Sequence, residues 1–512
     1  MKYFGTCIAL VFTLTCMQPL KALSHFYQRG DTVHKIALTI LRADKLLANA
    51  SQQDPWEKMP DASSIAWLET ANLNMLADLY EATGDSKYLV ELARRGDRVL
   101  GHRDDKRGVK DGSGLSRPAW SMGSKYVVAN GVLKDEDGKT LITIVSTPSS
   151  NNQLTRVEIA PFDRKNKNRF TIKVSNSHHN RHEVFEDLSL DPADARYAEK
   201  IINDPMAPYG AKSGHYTDKS NLIAVTVKGN TLPAKQTIMI QPITLAYIGY
   251  IGIIYYPMLR FAELVKADPA LKHLQPAASR FIQAAEESYA DAGKRLWREG
   301  PNKGEGHYLT CERGESFPAD NVPAPINYLG KHVASELILH RLTGKEIYLE
   351  RSKKMCLLLK NRLNYNAAAN LYTWNYWYEP MTTKGWVPED QLSHNVKYFK
   401  AAPYVEDASH GALDIGMVAA AYREGIVFNK EDMLRFSNTL LKNVITKDRK
   451  TVRRRVDGGD EHPGYFMALR GWLELAAANQ EVYHAIRQTY LNNGVENLAF
   501  TAELLKWERR LL

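Results

Sequence analysis

Nine residues, Glu406-Asp-Ala-Ser-His-Gly-Ala-Leu-Asp414, bring together three carboxyl groups (Glu406, Asp407, Asp414) and the imidazole of His410. The apolar run Met417–Tyr422 follows directly. Asp407 is suited to cap a helix that starts here, because its carboxylate can accept from the free N–H groups of the first turn. In such a helix His410 and Asp414 lie four residues apart and share a face. An imidazole beside a carboxylate at a helix mouth is a unit for proton transfer. The same spacing also describes a capping Asp followed by a solvated charged pair, since small acidic clusters are common on surfaces.

Just upstream, Tyr372-Thr-Trp-Asn-Tyr-Trp-Tyr378 has five aromatic residues in seven, followed by Glu379 and Trp386. Flat aromatic faces stack on sugar rings, and planar polar groups fix hydroxyls, so a loop of this composition suits a carbohydrate cleft. Alternate members, either Trp374 with Tyr376 or Tyr372 with Trp377, fit a core-facing role instead. Two carboxyl groups across a glycosidic bond are what hydrolysis needs. Glu379, Glu389 and Asp390 join Glu406, Asp407 and Asp414 as candidates.

The elements around these residues read as helices. Ser63–Thr83 and Asp85–Arg103 are joined by Thr83-Gly84-Asp85, with Gly84 as a left-handed C-cap and Asp85 capping the next helix. The hairpin returns 260 residues later: Leu76-Ala-Asp-Leu-Tyr-Glu-Ala-Thr-Gly-Asp-Ser-Lys-Tyr-Leu89 aligns with Glu336-Leu-Ile-Leu-His-Arg-Leu-Thr-Gly-Lys-Glu-Ile-Tyr-Leu349. A repeated hairpin indicates an array of αα units. Helical spacing also predicts helices at 26–50, 245–267, 274–297, 325–342, 346–363, 409–424, 430–446, 463–478 and 480–491. From 120 to 242 the pattern changes to short β-branched strands (Lys125–Val132, Leu141–Val145, Thr155–Ile159, Phe170–Val174, Leu222–Val227). The reading is a mainly α chain: an (α/α) toroid or incomplete barrel of about six hairpins with an inserted β-rich (α/β) module. Its divisions are 1–22, 23–119, 120–242 for the insert, and 243–512.

Residues 1–22 have a secretory signal pattern: Lys2, an apolar stretch Cys7–Cys16, and Leu20-Lys-Ala22 as the cleavage site. A secreted or periplasmic protein is therefore expected, cut near Ala22. Loss of Lys2 and Lys21 takes the net charge from +9 to +7, which steers acidic partners. No nucleic-acid-binding signature accompanies that charge. Cys311 and Cys356 are left to form one disulfide or to stay as two buried thiols. No zinc spacing is present; no metal ligands and no cofactor are expected, with structural calcium left open. His178, His179 and His182 read as solvated loop residues. Ile238–Met258, broken by Gln241, Pro242 and Pro257, reads as a buried helix and not a transmembrane segment. Oligomeric state is not legible.

Two resemblances add to this. Within the insert, Phe170-Thr-Ile-Lys-Val, Val184-Phe-Glu-Asp-Leu-Ser-Leu-Asp-Pro192, Tyr197-Ala-Glu-Lys-Ile-Ile-Asn203 and Asn221-Leu-Ile-Ala-Val225 resemble a segment of contractile-tail sheath proteins, at positions that are mostly structural. In the helical parts, roughly 60–120 and 245–480, five motifs resemble secreted bacterial (α/α) toroid proteins related to uronan-type (glucuronan/alginate) polysaccharide lyases. They are Tyr80-Glu-Ala-Thr-Gly-Asp85, Arg103-Asp-Asp105, Pro325-Ile-Asn-Tyr328, Tyr372-x-Trp-x-Tyr-Trp377, and Glu406-Asp-x-Ser-His410 with Asp414. This second resemblance implies β-elimination of an acidic polysaccharide. Asn327 would then neutralise the substrate carboxylate, assisted by Arg313 or Arg117. His410 would be base or neutraliser, its tautomer fixed by Glu406 or Asp414, and Tyr376 or Tyr378 would be the acid/base. Trp374, Trp377, Tyr378 and Trp386 would hold the glycan. The alternatives are a glycoside hydrolase on the same scaffold and a non-catalytic glycan-binding protein.

Overall fold

The computed structural model describes residues 55–58, 61–123, 127–147, 151–161, 168–203, 220–317 and 319–511. The signal pattern and the helix expected at 26–50 lie outside the described residues. The Thr-Gly repeat is built the same way twice. Helix α1 (Thr70–Thr83) ends on Gly84 at φ +75°, whose N–H donates to the Tyr80 carbonyl at 2.7 Å. Helix α5 (Ile326–Thr343) ends on Gly344 at φ +73°, donating to the His340 carbonyl at 2.7 Å. In both, the threonine hydroxyl donates to the carbonyl four residues back at 2.7 Å. The tyrosine four residues past each glycine, Tyr88 or Tyr348, is buried beneath the second helix of the hairpin. Those second helices are α2 (Lys87–Gly101) and α6 (Glu346–Lys360).

The other long helices are α3 (Ile248–Ala267), α4 (Gln275–Arg295), α7 (Ala408–Arg423), α8 (Lys430–Asn438), α9 (Gln480–Asn493) and α10 (Leu498–Leu511). The segment 463–477 is a run of tight helical turns. Helix α1 packs on α3, α3 on α5, α5 on α7, α7 on residues 469–477, and those on α10, which returns to α1. Their partners α2, α4, α6, α8 and α9 pack against them from outside the same circuit. Helix α3 is the one described helix long and apolar enough to cross a membrane, and it is buried for most of its length in this core. Cys311 and Cys356 are free and buried.

Residues 129–242 form two antiparallel four-stranded sheets. One has the order β6-β2-β1-β8 (β1 Ala129–Lys134, β2 Thr140–Ser146, β6 Ile223–Val227, β8 Gln241–Pro242). The other is β5-β4-β3-β7 (β3 Thr155–Pro161, β4 Phe170–Asn176, β5 Arg181–Leu188, β7 Thr237–Met239). Inward-facing Ile142, Ile144, Val157, Ile172, Val174 and Phe185 give them a core separate from the helical one. Strand β5, absent from the sequence expectation, alternates buried Glu183, Phe185 and Leu188 with outward residues. His178 and His179 stand edge to face at 5.0 Å in the turn before it.

Three glycines set how closely the inner helices approach. A Cβ at Gly252 would lie 2.8 Å from the His332 nitrogen, one at Gly330 2.4 Å from the Leu413 carbonyl, and one at Gly471 2.8 Å from the Ala412 carbonyl. These clashes are with backbone, which cannot rotate away. Gly330→Ala is therefore expected to wedge α5 from α7 and destabilise the helical core by roughly 1–3 kcal/mol. A urea midpoint equal to that of the wild type would show that the helices have room to part.

Candidate active site

Helix α7 begins as its sequence predicts. Asp407 is extended (φ −85°, ψ 158°) and its carboxylate accepts from the Ser409 and His410 N–H groups at 2.8 and 2.9 Å. The same carboxylate meets His410 Nδ1 at 2.5 Å. The expectation that Glu406 or Asp414 fixes the His410 tautomer is therefore corrected. A cap and the residue three positions on face each other across the first turn, whereas Asp414 turns inward. With Nδ1 engaged, Nε2 is the ring nitrogen left for chemistry. Burial works against the Asp407 charge, but the His410 ring and the two N–H groups hold its carboxyl below the usual range. The helix N-terminus favours the same charge.

Directly beneath lies a second pair. Glu406 and Asp414 are both fully buried. The Glu406 backbone is pinned between two segments: its N–H donates to the Trp374 carbonyl at 2.9 Å, and its carbonyl accepts from Val456 at 3.0 Å. Glu406 Oε1 accepts from the Asp407 N–H at 2.9 Å, and Asp414 Oδ2 accepts from the Trp374 indole at 2.7 Å. The remaining oxygens, Glu406 Oε2 and Asp414 Oδ1, have no other partner among the described residues. One proton between them satisfies both. Burial, then the neighbouring charges of Asp414 and Asp407, push Glu406 well above the carboxylate range. Burial lifts Asp414 to about 7, against the Trp374 and Glu406 hydrogen bonds. The pair keeps a proton at neutral pH while Asp407, next in sequence to Glu406, stays ionised.

Tyr376 connects this cluster to α5. Its ring meets His410 edge to face at 5.2 Å and Trp377 at 5.1 Å. Its hydroxyl lies beside the Asn327 amide, and burial, with Tyr328 nearby, raises its pKa. Asn327 is the second residue of α5 and fully buried, with neither amide atom in a well-aligned hydrogen bond among the described residues. Thus Asn327, Tyr376, His410, Glu406 and Asp414 lie in one neighbourhood. Glu379 is instead tied to Arg362 at 2.7 Å, and Glu389 and Asp390 are exposed.

Most of the expected sugar platforms are corrected. Trp374 is 0 % exposed, wedged against Phe436 and Trp472, and acts through its indole N–H on Asp414. Tyr378 is buried under Arg362. Trp386 stacks on Phe399 at 4.5 Å and donates to the Val396 carbonyl, holding its own loop. Arg117 is committed to Asp111 at 2.8 Å and Asp291 at 3.5 Å, so it is no free cation. Arg313 is exposed. Trp377 keeps a partly open face.

Two exposed aromatic residues near the site were not among those expected. Trp67, 46 % exposed, edges onto Tyr250 and lines a cavity of about 390 Å³ that begins at Ser409 and His410. Tyr404, 63 % exposed, sits on the segment whose carbonyl accepts from the Tyr376 N–H. Tyr404 had a signal, its place three residues before Asp407; Trp67 had none beyond a Trp in a helical run.

Glu406, Asp407 and His410 also place one donor atom each within 4.8 Å of the others, which is the spacing of a metal-ligand set. These donors are turned toward one another and toward backbone N–H groups, so the cluster is built first to share protons.

No protein-family model matches the chain, and no curated protein matches it. Solved structures do. An inactive variant of an α-1,6-mannanase, GH76A of Salegentibacter sp. HEL1_6, in complex with α-1,6-mannotriose, is 11% identical over 52% of this chain and 76% of its own, at a TM-score of 0.34. A GH76 α-mannanase of Bacteroides thetaiotaomicron is 13% identical over 48% of this chain and 60% of its own, at 0.31. A family 76 glycoside hydrolase from a bovine Bacteroides thetaiotaomicron strain is 10% identical over 72% and 96%, at 0.33. All three are glycoside hydrolases. The expected polysaccharide lyase is corrected accordingly, and these matches support neither the uronan-lyase nor the tail-sheath resemblance.

The proton shared by Glu406 and Asp414 has a consequence for stability. Asp414 rises from about 3.9 in the unfolded chain to about 7 when folded. In that window the folded state binds the extra proton, so stability falls as pH rises through it. In Asp414→Asn the amide is expected to accept from Trp374 and donate to Glu406 with no proton required. Urea midpoints from pH 4 to 8 should then decline less than in the wild type; parallel curves would show that the pair holds no proton.

Proposed function

We propose that the chain hydrolyses a glycan at the face where Asp407, His410 and Tyr376 meet, on an (α/α) toroid formed by the circuit of inner helices. The observation that carries this reading is the pairing of Asp407 with His410 at the mouth of α7. The Asp407 carboxylate takes two backbone N–H groups and His410 Nδ1, which leaves Nε2 of a partly exposed imidazole for proton transfer beside a held anion. His410, with Nδ1 on Asp407, moves a proton at Nε2 to or from the glycosidic oxygen or the attacking water. The Asp407 charge stabilises the positive charge that develops on the sugar. The buried pair sits too deep to touch substrate; it positions Trp374 and the start of α7. Trp67, Trp377 and Tyr404 offer the partly open aromatic faces for stacking. The signal pattern of residues 1–22 fits an activity outside the cytoplasm, where polymeric glycans are met.

The test is incubation of the purified protein with a panel that includes α-1,6-mannan, neutral glucans and polyuronates. New reducing ends are expected without the ultraviolet absorbance of an unsaturated uronate. Asp407→Asn and His410→Ala should each lower the rate by roughly a hundredfold or more. No reducing ends across the panel, or an unchanged rate in Asp407→Asn, would overturn the reading.

A further inference from the structure

The cavity that starts at His410 runs down between the inner helices to a floor of charged side chains. Its lining has five cationic side chains (Arg260, Lys331, Arg423, Arg470, Lys506) against three carboxylates (Asp78, Glu474, Glu503). Four of the cations are committed. Arg260 and Lys506 meet Asp78 at 2.9 and 3.0 Å, Arg423 meets Glu474 at 2.6 Å, and Arg470 meets Glu503 at 3.0 Å. Lys331 has no ion pair among the described residues. Its ammonium lies 4.2 Å from the centre of the Tyr256 ring. Gly416 of α7 faces it, and a Cβ there would stand 3.7 Å from Nζ, in van der Waals contact. Lys331 is one helical turn below Asn327 on the same face of α5, between the reacting groups and the floor. Burial pulls its pKa down to about 8, against the pull of Glu474 and Glu503.

We propose that this cavity is a glycan subsite for a sugar that carries an oxyanion, either a uronate carboxylate or a phosphate ester, with Lys331 as its counter-ion. The inference rests on the glycan-hydrolysing reading above and names the substrate class. An ammonium with three donors and no ion pair among the described residues is completed by such a group. The excess of cations in the lining repels nothing that an anionic sugar brings. A neutral sugar in the same cavity offers the ammonium no counter-charge. About 390 Å³ is room for a single sugar residue with its substituent.

Calorimetric titration of the Asp407→Asn protein with glucuronate, mannose 6-phosphate and neutral mannose tests this without turnover. At least one anionic sugar should bind about tenfold more tightly than mannose, as expected for one charge-assisted hydrogen bond. The arm that does so identifies carboxylate or phosphate. Lys331→Met and Lys331→Gln should erase that preference, while Lys331→Arg should keep it. Neither the Met nor the Gln variant removes an ion pair among the described residues, so both should melt no lower than the parent. Equal affinity for all three sugars, or a preference that survives Lys331→Met, overturns the subsite. Hydrolysis lost across the panel with the anion preference intact would sink the reaction and leave the subsite standing; hydrolysis without the preference would do the reverse.

Discussion

The site depends on a backbone contact. Gly330 of α5 lies against the Leu413 carbonyl of α7 so closely that no side chain fits between them. That contact fixes the distance between the helix carrying Asn327 and Lys331 and the helix carrying His410 and Asp414. Gly252 and Gly471 set the neighbouring helices in the same manner. Interhelical spacing depends on the side chains at the crossing, and glycine allows the shortest. The inner helices are thus locked in position by main chain, and the loops at one end inherit that rigidity. Residues 371–378 gain theirs by pairing with 405 and by the Trp374–Asp414 hydrogen bond.

Charge then distinguishes the two levels of the site. Two buried carboxyl groups in contact cannot both ionise, so Glu406 and Asp414 hold a proton between them. Asp407, adjacent in sequence, remains an anion because the helix end and His410 supply three hydrogen-bond donors. The difference follows from one residue of chain. Glu406 is pinned by backbone hydrogen bonds to Trp374 and Val456 with its side chain buried; Asp407 is the cap and points at the free N–H groups. A helix that began one residue earlier would exchange their environments and leave a charged carboxylate in the core.

Sequence showed the parts whose physics is local. The Thr-Gly repeat encodes a left-handed cap and a buried tyrosine, and both copies fold alike because the instruction lies within one turn. Asp407 as cap of α7 is of the same kind. Helix α10 carried such a signal too: Asn497 accepts from the Phe500 N–H at 2.9 Å at its start, although no helix was expected there. What could not be read was the direction in which each aromatic faces. Tyr372 to Tyr378 alternate as two strand-like faces, but only packing against α7 and α8 decides that Trp374 is core and Tyr376 meets His410. The tautomer partner of His410 was misplaced for a similar reason. Spacing of four on a helix suggested Asp414, while the geometry of the cap, which is not helical, brought Asp407 round to the ring. The lyase expectation relied on motif order, and motif order reports a scaffold more readily than a reaction.

Below the site, the floor of the cavity is an ion network built around the buried Asp78, Glu503 and Lys506. Asp78 alone is reached by Arg260, Lys506 and Arg470. These cations hold its carboxyl below the usual range even though burial opposes them. Glu474, held low by Arg423 and Lys506, closes the same network. Buried ion pairs of this kind add little net stability over apolar packing, because desolvation offsets much of their attraction. They do, however, break badly when one member is lost. The arrangement therefore makes a polar plug between the cavity at His410 and a second one of about 540 Å³ at the opposite helix ends, around Glu81, Arg341 and Arg510. Arg260, Arg423, Glu474 and Lys506 line both. A hydrophobic plug would separate them equally well but would offer nothing to a polar ligand. With its ions paired internally, the plug presents hydrogen-bonding groups to the cavity and leaves Lys331 as the one cation in its wall without an ion pair among the described residues.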